Sequence, residues 1–347
     1  MATLELGLDT FGDVTFDPAG PPGRTTPHPQ VLRDVVEEAT LADDLGLYFF
    51  GVGEHHREDF AISAPEVVLA AIAGRTKRIR LGTAVTVLSS DDPVRVFERF
   101  STLDALSNGR AEIIVGRGSF TESFPLFGFD LNQYEELFEE RLDLMAELIK
   151  ETPVTWSGRT RASLKNQLVY PPTASGSLPV WVGVGGSQQS VVRAAHHGLP
   201  LMLAIIGGEP IRFAPFVALY RKSLEQFGQP LTLPIGVHSP GHVAATDTEA
   251  REDLWPHYAA MMTRIGAERG WPPATRAQFE HAAGPSGALL VGSPETVAAK
   301  IVRVSTALGL SRFDMKYSAG TLPHAKLMKS IELYGTKVVP LVHQQLA

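Results

Sequence analysis

Three titratable side chains follow an apolar run near the amino terminus. Residues Leu47–Arg57 read LYFFGVGEHHR, in which two spaced glycines separate the apolar run from Glu54, His55 and His56. An apolar run of this length bounded by glycine is typical of a buried parallel strand. Parallel α/β proteins carry their chemistry at the carboxyl ends of such strands. His55 is therefore a candidate proton donor or hydrogen-bond anchor, and a structural histidine tied to Glu54 is the alternative.

The histidines do not form a convincing metal site. Adjacent histidines on a strand point to opposite faces, so His55 and His56 cannot easily share an ion. His238 and His242 are four residues apart, but the proline and glycine between them deny a shared helical face. The absence of cysteine excludes thiolate ligands and disulfides. We expect no metal. His238, His242 and His324 are outer candidates for substrate contact, and for each of them we expect a structural role more than contact with substrate.

A glycine-rich turn offers a second kind of site. Residues Gly183–Ser187 read GVGGS and join a predicted strand, Pro179–Val184, to a helix. Such a turn presents backbone N–H groups and a helix N-terminus to an anion, and Ser187 and Ser190 add hydroxyl donors. The dinucleotide pattern G-x-G-x-x-G fails because its last position is Gln188. The pattern favours phosphate binding, and a tight turn whose glycines serve packing is the alternative.

A lone arginine follows another predicted strand. Arg117 lies between Gly116 and Gly118, which would let another group approach closely. The guanidinium suits phosphate recognition through its fork of donors. A salt bridge that closes the fold explains the same residue equally well.

The elements that position these groups alternate in type. Eight predicted strands are separated by helical patterns, which is typical of a right-handed parallel β/α fold. We predict these strands at Leu4–Leu8, Leu47–Val52, Ile79–Leu88, Ala111–Val115, Pro179–Val184, Leu199–Ile206, Leu233–Ala244 and Phe313–Tyr317. The rhythm is broken by an excursion near 152–178 and a helical insertion near 248–284. We expect a single domain over 1–347.

Composition excludes several classes of protein. The chain has 347 residues, 44% of them apolar and 20% charged, so it can bury a large core. Its formal net charge of -7 argues against a nucleic-acid partner. No apolar run approaches the roughly 18 residues that span a membrane, and the first residues lack the pattern of a signal peptide. We expect a soluble cytoplasmic protein.

Seven segments, in order, resemble the bacterial-luciferase-like flavin-dependent oxidoreductases. They cover most of the chain and are densest between about Phe49 and Gly128. The matching segments are Phe50–Arg57 (FGVGEHHR), Arg80–Leu88 (RLGTAVTVL), Asp92–Arg95 (DPVR), Leu106–Arg110 (LSNGR), Gly116–Gly118 (GRG), Pro179–Gly186 (PVWVGVGG) and His197–Pro200 (HGLP). Two residues depart from the light-emitting members, which carry a cysteine at Gly116 and an acidic residue at Gly186. Aldehyde oxidation with light emission is therefore not implied.

The resemblance implies a (β/α)8 TIM barrel, usually a homodimer or homotetramer, that holds reduced FMN or a deazaflavin at the carboxyl ends of its strands. His55 matches the active-site histidine of the family, with Glu54 beside it. The end of the third strand matches a frequent non-proline cis peptide against the flavin ring, which we predict at Ala84–Val85. The residues that match the site of the flavin phosphate are Arg117, Gly185, Gly186, Ser187 and Ser190.

The function implied is an FMNH2-using monooxygenase that acts with O2 on a small organic substrate and receives its flavin from a separate reductase. A deazaflavin-dependent dehydrogenase and a non-catalytic flavin-binding protein are the alternatives. We expect Phe120–Phe129 to form a lid, with surface packing as the alternative. The aromatic residues at strand ends that would wall the substrate pocket, or else belong to the core, are Phe11, Phe120, Trp181 and Tyr317.

Overall fold

The computed structural model describes residues 3–14, 28–118 and 120–347, and its centre is a parallel β-barrel. Every residue of the short strands Phe49–Val52 and Ile113–Gly116 is buried, as expected for apolar runs covered by helices. The parallel strands are β1 (Glu5–Thr10), β2 (Phe49–Val52), β3 (Arg80–Thr83), β4 (Thr86–Val87), β5 (Ile113–Gly116), β8 (Val180–Val184), β9 (Leu201–Ala204), β10 (Ile235–Val243), β11 (Leu290–Gly292) and β12 (Arg312–Lys316). An antiparallel pair consists of β6 (Val154–Trp156) and β7 (Leu164–Gln167).

The sheet runs in the order β3-β2-β1-β12-β10-β9-β8-β5-β4. Strands β3 and β4 are the two halves of one barrel position, separated only by Ala84 and Val85, so the nine segments occupy eight positions. A parallel bridge from Leu81 to Ala111 and the pairing of β4 with β5 bring the two ends of the sheet together. The predicted (β/α)8 barrel is confirmed.

Helices cover the outside of the barrel. The face of α1 that carries Val31, Val35, Ala39 and Ala42 is buried, as its helical spacing predicts. The helices are α1 (His28–Asp44), α2 (Pro65–Ala73), α3 (Pro93–Ser107), α4 (Ser123–Phe127), α5 (Tyr134–Leu148), α6 (Gln188–His196), α7 (Ala214–Gln226), α8 (Asp247–Arg269), α9 (Arg276–Ala283), α10 (Pro294–Leu308), α11 (His324–Leu333) and α12 (Val339–Leu346). No helix in the described part of the chain is long and apolar enough to cross a membrane.

Two regions depart from the alternating pattern. The antiparallel pair β6–β7 lies within the excursion near 152–178, and the helices α8 and α9 occupy the region near 248–284. Strand β11 pairs with β10 and is an element that sequence reasoning missed. Its three residues are too short a run to produce a periodic signal.

The inside of the barrel is filled by large side chains that lie against inward glycines. Phe49, Ile114, Trp181 and Met202 form a cluster that is separate from the core between the barrel and its helices. A Cβ atom at Gly236 would lie 2.6 Å from the Met202 side chain. The glycine is therefore required by close approach, and the packed interior forms a base for the polar residues at the strand ends.

Candidate active site

A cavity of about 640 Å³ opens at the carboxyl ends of the barrel strands. Its size lies in the range of roughly 300–1,000 Å³ that holds small ligands and cofactors. The structure brings all of the predicted site residues together in its lining, although they come from four separate segments of the chain. These residues are Glu54, His55, Ala84, Val85, Arg117, Gly185, Gly186, Ser187 and Ser190.

One wall of the cavity is the interrupted strand between β3 and β4. The peptide bond between Ala84 and Val85 is cis, as predicted. The Val85 side chain lies against two glycines: a Cβ at Gly116 would approach Val85 Cγ2 to 2.7 Å, and one at Gly183 would approach Cγ1 to 3.0 Å. The valine thus occupies the volume that a cysteine at Gly116 would need.

Glu54 holds this wall in place. Its carboxylate is 8% exposed, and both of its oxygens have protein partners. Oε2 accepts a hydrogen bond from the Val87 backbone N–H at 3.0 Å, and Oε1 accepts one from His56 Nε2 at 2.8 Å. The histidine tied to Glu54 is therefore His56 and not His55. Both residues follow the end of β2, two positions apart in the chain.

His55 lies instead in an aromatic environment. Its ring stacks on Phe60 with centroids 4.4 Å apart and meets the edges of Phe11 at 4.7 Å and Phe120 at 5.2 Å. Its ring nitrogens make no hydrogen bond to any residue that the structure describes. Burial lowers the pKa of His55 to about 3, so the imidazole is neutral near pH 7. A neutral ring that lines the cavity can donate or accept one hydrogen bond there.

The glycine-rich turn ends at the N-terminus of α6. Ser187 is the N-cap residue, and its hydroxyl accepts a hydrogen bond from the Ser190 backbone N–H at 3.3 Å. The Ser190 hydroxyl is buried and has no hydrogen-bond partner among the described residues. A Cβ at Gly185 or Gly186 would meet nothing within 4 Å, so packing does not explain these two glycines, although the φ of 152° at Gly186 also favours glycine. The turn has the donors and the free space that an anion needs.

Arg117 stands at the rim beside the same turn. It forms an ion pair with Glu135, and its guanidinium lies 5.2 Å from the Tyr134 ring centroid. Arg193 also reaches Glu135, at 3.0 Å, so two arginines share this carboxylate. A salt bridge is therefore present, as the alternative reading of Arg117 anticipated, but at the rim of the cavity. A bound phosphate would compete with Glu135 for the arginine.

The inner wall carries polar groups that local sequence patterns did not connect. His238 Nδ1 lies 2.7 Å from Asp9 Oδ2, and both residues line the cavity. Beside them, Arg312 donates to Asp314 at 2.8 Å and to Glu112 within the barrel. Burial raises the pKa of the Asp314 carboxyl to about 7, against the opposing effect of Arg312.

Several predictions about aromatic and histidine residues are settled by burial. Phe11 and Phe120 line the cavity, whereas Trp181 and Tyr317 do not. Trp181 belongs to the interior cluster, and the Tyr317 hydroxyl donates to Glu38 behind the barrel wall. Trp181 and Tyr317 therefore follow the core alternative. Residue type could not decide between wall and core, because strand alternation and depth in the barrel determine whether a ring lies at the cavity or below it. The aromatic wall residues that sequence reasoning missed are Phe60, Tyr134, Tyr258 and Trp271.

The three outer histidines also differ in whether they line the cavity. His238 lines the cavity, whereas His242 pairs with Asp253 at 3.4 Å and His324 with Glu38 at 2.8 Å, both away from it. Within the described residues, one group has ligand atoms close enough to hold a metal, namely Asp34, Glu37 and His324 on α1 and α11. It lies outside the cavity.

The sequence family follows from the whole chain. The family model described as luciferase-like monooxygenase matches residues 14–312, and the chain belongs to that family. An uncharacterized protein of Sinorhizobium fredii, y4vJ, is 30% identical over 184 residues, which cover 51% of this chain and 50% of the relative. The alkanal monooxygenase alpha chain of Photorhabdus luminescens is 28% identical over 225 residues, which cover 65% and 60%. The matched part thus spans about half to three fifths of these relatives.

Solved structures share the fold over nearly the full length. Monooxygenase RslO1 from Streptomyces bottropensis has a TM-score of 0.82 at 22% identity, covering 97% of this chain and 99% of that one. The FMN-bound oxygenating constituent of 3,6-diketocamphane monooxygenase from Pseudomonas putida has a TM-score of 0.75 at 20% identity, covering 97% and 98%. An F420-dependent secondary alcohol dehydrogenase reaches 0.76 at 16% identity, covering 99% of both chains. The shared fold therefore serves both flavin and deazaflavin enzymes.

Proposed function

We propose that this protein is a monooxygenase that uses reduced FMN and O2 to oxidise a small, largely apolar organic molecule. The observation that carries the proposal is the Ser190 hydroxyl, which is buried at the cavity wall without a hydrogen-bond partner among the described residues. A buried polar group without a partner costs free energy unless a ligand satisfies it. A phosphate oxygen is an acceptor of the right kind.

The residues of the turn fit a flavin phosphate. The Ser187 and Ser190 hydroxyls and the backbone of Gly185 and Gly186 would hold the phosphate, with charge supplied by Arg117. The two glycines leave open space beside the helix N-terminus, so the phosphate can approach the backbone. Arg117 would exchange part of its ion pair with Glu135 for the phosphate.

Other residues of the cavity would position the flavin ring and the reacting centre. Ala84 and Val85 line the wall against which a flavin ring would lie, and Glu54 holds that wall through Val87. His55, neutral and enclosed by Phe11 and Phe60, would hold a hydrogen bond at the reacting centre while these rings limit access of water. Reduced FMN, when bound, supplies the two electrons with which one atom of O2 enters the substrate and the other leaves as water.

A deazaflavin-dependent dehydrogenase is the second candidate. Its coenzyme has an acidic tail, which would favour unpaired cations at the rim of the cavity. At the rim, Arg117 pairs with Glu135, and Arg57 pairs with Glu268. These carboxylates weigh against the acidic tail and favour FMN. In our proposal a separate reductase delivers the reduced flavin.

The test is a titration of the full chain with FMN, first oxidised and then reduced by dithionite, followed by rapid mixing with O2. We expect tighter binding of reduced FMN and a transient absorbance distinct from both flavin states, which His55→Ala shortens. Tight binding of oxidised FMN without a transient would favour a non-catalytic binding protein. No FMN binding in either state would overturn the proposal and favour the deazaflavin.

Two serine variants assign the phosphate site. Ser190→Ala removes the proposed phosphate donor and should weaken FMN binding about tenfold, the effect of losing one hydrogen bond to a charged group. Ser305→Ala is the matched control, because the Ser305 hydroxyl is also buried, has no partner in the described part of the chain, and lies on α10, outside the cavity. Equal FMN affinity in the two variants would contradict the assignment.

A further inference from the structure

The inner wall of the cavity carries a histidine–carboxylate pair that the proposed flavin contacts do not use. His238 on β10 and Asp9 on β1 project inward from strands that are separated by β12. Their side chains meet with Nδ1 and Oδ2 2.7 Å apart, and the residues are only 8% and 1% exposed. A buried pair of this geometry is the arrangement by which a carboxylate orients a histidine for proton transfer.

The pair leaves one nitrogen of His238 available to a ligand. In a pair in which the carboxylate oxygen of Asp9 accepts, Nδ1 donates the hydrogen and Nε2 carries the lone pair. Nε2 makes no hydrogen bond to the described residues, and it is not among the buried atoms that are sealed without a partner. Since His238 lines the cavity, Nε2 faces that space as a base.

The charges around His238 favour a neutral ligand over an anionic one. Asp9 Oδ1 is buried without a partner among the described residues, and Asp314, the register neighbour of His238 on β12, accepts a hydrogen bond from Arg312. Lys316, the only cation that lines this wall in the described part of the chain, is bound by Asp13 at 2.9 Å. His55 is neutral near pH 7 and lies on the far side of Phe11. A carboxylate, sulfonate or phosphate would add a net negative charge beside these carboxylates. A hydroxyl enters neutral, and its anion forms only together with the imidazolium, so the net charge at this wall does not change.

The rest of the cavity is apolar and rich in aromatic rings and methionine. Such walls bury flat, apolar molecules and contribute ring contacts beyond their area. The residues concerned are Phe11, Phe60, Met202, Met261, Ile265 and Trp271. The combination of an apolar cavity and one oriented base selects a molecule that is largely apolar and carries one acidic hydroxyl.

We propose that His238, oriented by Asp9, takes the proton of a substrate hydroxyl, and that the substrate is therefore a largely apolar phenol or enol. In this step the O–H bond of the substrate breaks and an N–H bond forms at Nε2, so no oxidant or reductant is needed. Asp9 stabilises the imidazolium that results. The role of this step in turnover rests on the proposed function, but the proton transfer itself takes place without flavin.

The test uses 4-nitrophenol, whose ionised form is read directly by its visible absorbance. The flavin-free full chain is titrated with the probe across a range of pH, and the pH of half-ionisation of the bound probe is determined. We expect ionisation about one pH unit below that of the free probe, because the phenolate pairs with the imidazolium. His238→Gln should abolish the shift, and Asp9→Asn should reduce it.

The controls separate a proton transfer from a change in shape. His242→Gln alters a buried histidine on the same strand, paired with Asp253 and outside the cavity, and should leave the shift intact. The methyl ether 4-nitroanisole cannot ionise and should bind the wild type and His238→Gln equally well. Equal ionisation of 4-nitrophenol in these two proteins, or no binding of it by the wild type, would overturn the proposal.

The FMN titration of the same proteins keeps the two proposals apart. If the wild type binds no FMN but shifts the ionisation of 4-nitrophenol through His238, the monooxygenase assignment fails and the base assignment stands. If FMN binds and the ionisation is unchanged by His238→Gln, the base assignment fails alone.

Discussion

Glu54 and Val87 tie two neighbouring barrel strands together at the edge of the cavity. The carboxylate, at the end of β2, accepts a hydrogen bond from the Val87 N–H of β4 at 3.0 Å, just beyond the Ala84–Val85 peptide. The same carboxylate holds His56 at 2.8 Å. A residue that resembles a catalytic acid by sequence thus has both oxygens committed to the protein.

We therefore predict that Glu54→Ala destabilises the fold. The substitution leaves the buried Val87 N–H without its acceptor, which costs about 1–3 kcal/mol in the free energy of unfolding. Urea denaturation at pH 7 measures the loss. Glu54→Gln keeps a carbonyl acceptor and should lose less. Glu58→Ala, which alters a carboxylate with an 80% exposed side chain nearby, should change the free energy of unfolding by less than about 0.5 kcal/mol.

Gly185 allows ligand binding to be separated from folding. A Cβ at this position meets nothing within 4 Å, so Gly185→Ala should leave the free energy of unfolding within about 0.5 kcal/mol of the wild type. If the flavin phosphate occupies that space, the same substitution should weaken FMN binding about tenfold. Gly207→Ala is the matched control, since its Cβ also meets nothing and Gly207 lies outside the cavity. Unchanged FMN affinity in Gly185→Ala would remove the glycine from the phosphate site.

Much of the fold could be predicted from the sequence, because strands and helices depend on patterns within short segments of the chain. Apolar runs, alternation and β-branched residues predict the eight barrel strands, and an apolar stripe predicts the buried face of α1. The residues that line the cavity could be predicted to lie together, because parallel strands all place their carboxyl ends at one edge of the sheet. The resemblance to a family then selected which strand ends to compare.

The parts that were missed depend on contacts between distant strands. Asp9 and His238 are 229 residues apart and meet only because β1, β12 and β10 are consecutive in the barrel. Trp181 has the residue type of a pocket wall but packs below the cavity. The depth of a side chain in the barrel depends on how neighbouring strands are aligned, and the sequence of one segment does not determine that alignment.

Gly116 should not tolerate the cysteine that light-emitting relatives carry there. A Cβ at this position would lie 2.7 Å from Val85 Cγ2, and the valine is held stiffly by its branched side chain. We predict that Gly116→Cys lowers the free energy of unfolding by about 1–3 kcal/mol through overpacking. The double variant Gly116→Cys, Val85→Ala should recover part of this loss, which a double-mutant cycle in urea measures. Strict additivity of the two single changes would show that Val85 is not the obstacle.

An ion pair lies beside the cavity and reaches the end of α8. Arg57 follows β2 and pairs with Glu268 near the end of α8 at 2.5 Å, while its guanidinium lies 4.5 Å from the Phe120 centroid. Because Glu268 is 44% exposed, Glu268→Gln should cost less than about 1 kcal/mol in the free energy of unfolding. It should nevertheless speed amide hydrogen exchange in the last turns of α8, which line the cavity.

A second exposed ion pair provides the control for this prediction. Glu252→Gln removes a partner of Arg276 between α8 and α9, away from the cavity. It should leave exchange at the end of α8 unchanged. The wild type should also exchange faster there at high salt, because exposed pairs are screened. Exchange rates that respond equally to both substitutions would show that the Arg57–Glu268 pair does not specifically hold the end of α8.

His55 predicts how stability depends on pH. Burial lowers its pKa to about 3 in the folded protein, whereas an unfolded histidine titrates near 6.5. Between these values the unfolded chain binds a proton that the folded chain does not, so the free energy of unfolding falls as pH decreases from about 6.5 toward 3. His55→Phe keeps a ring against Phe11 and Phe60 and removes this proton. Urea denaturation at pH 7 and pH 5 should therefore show a smaller loss of stability in the variant than in the wild type, and equal losses would mean that the imidazole is protonated in the fold.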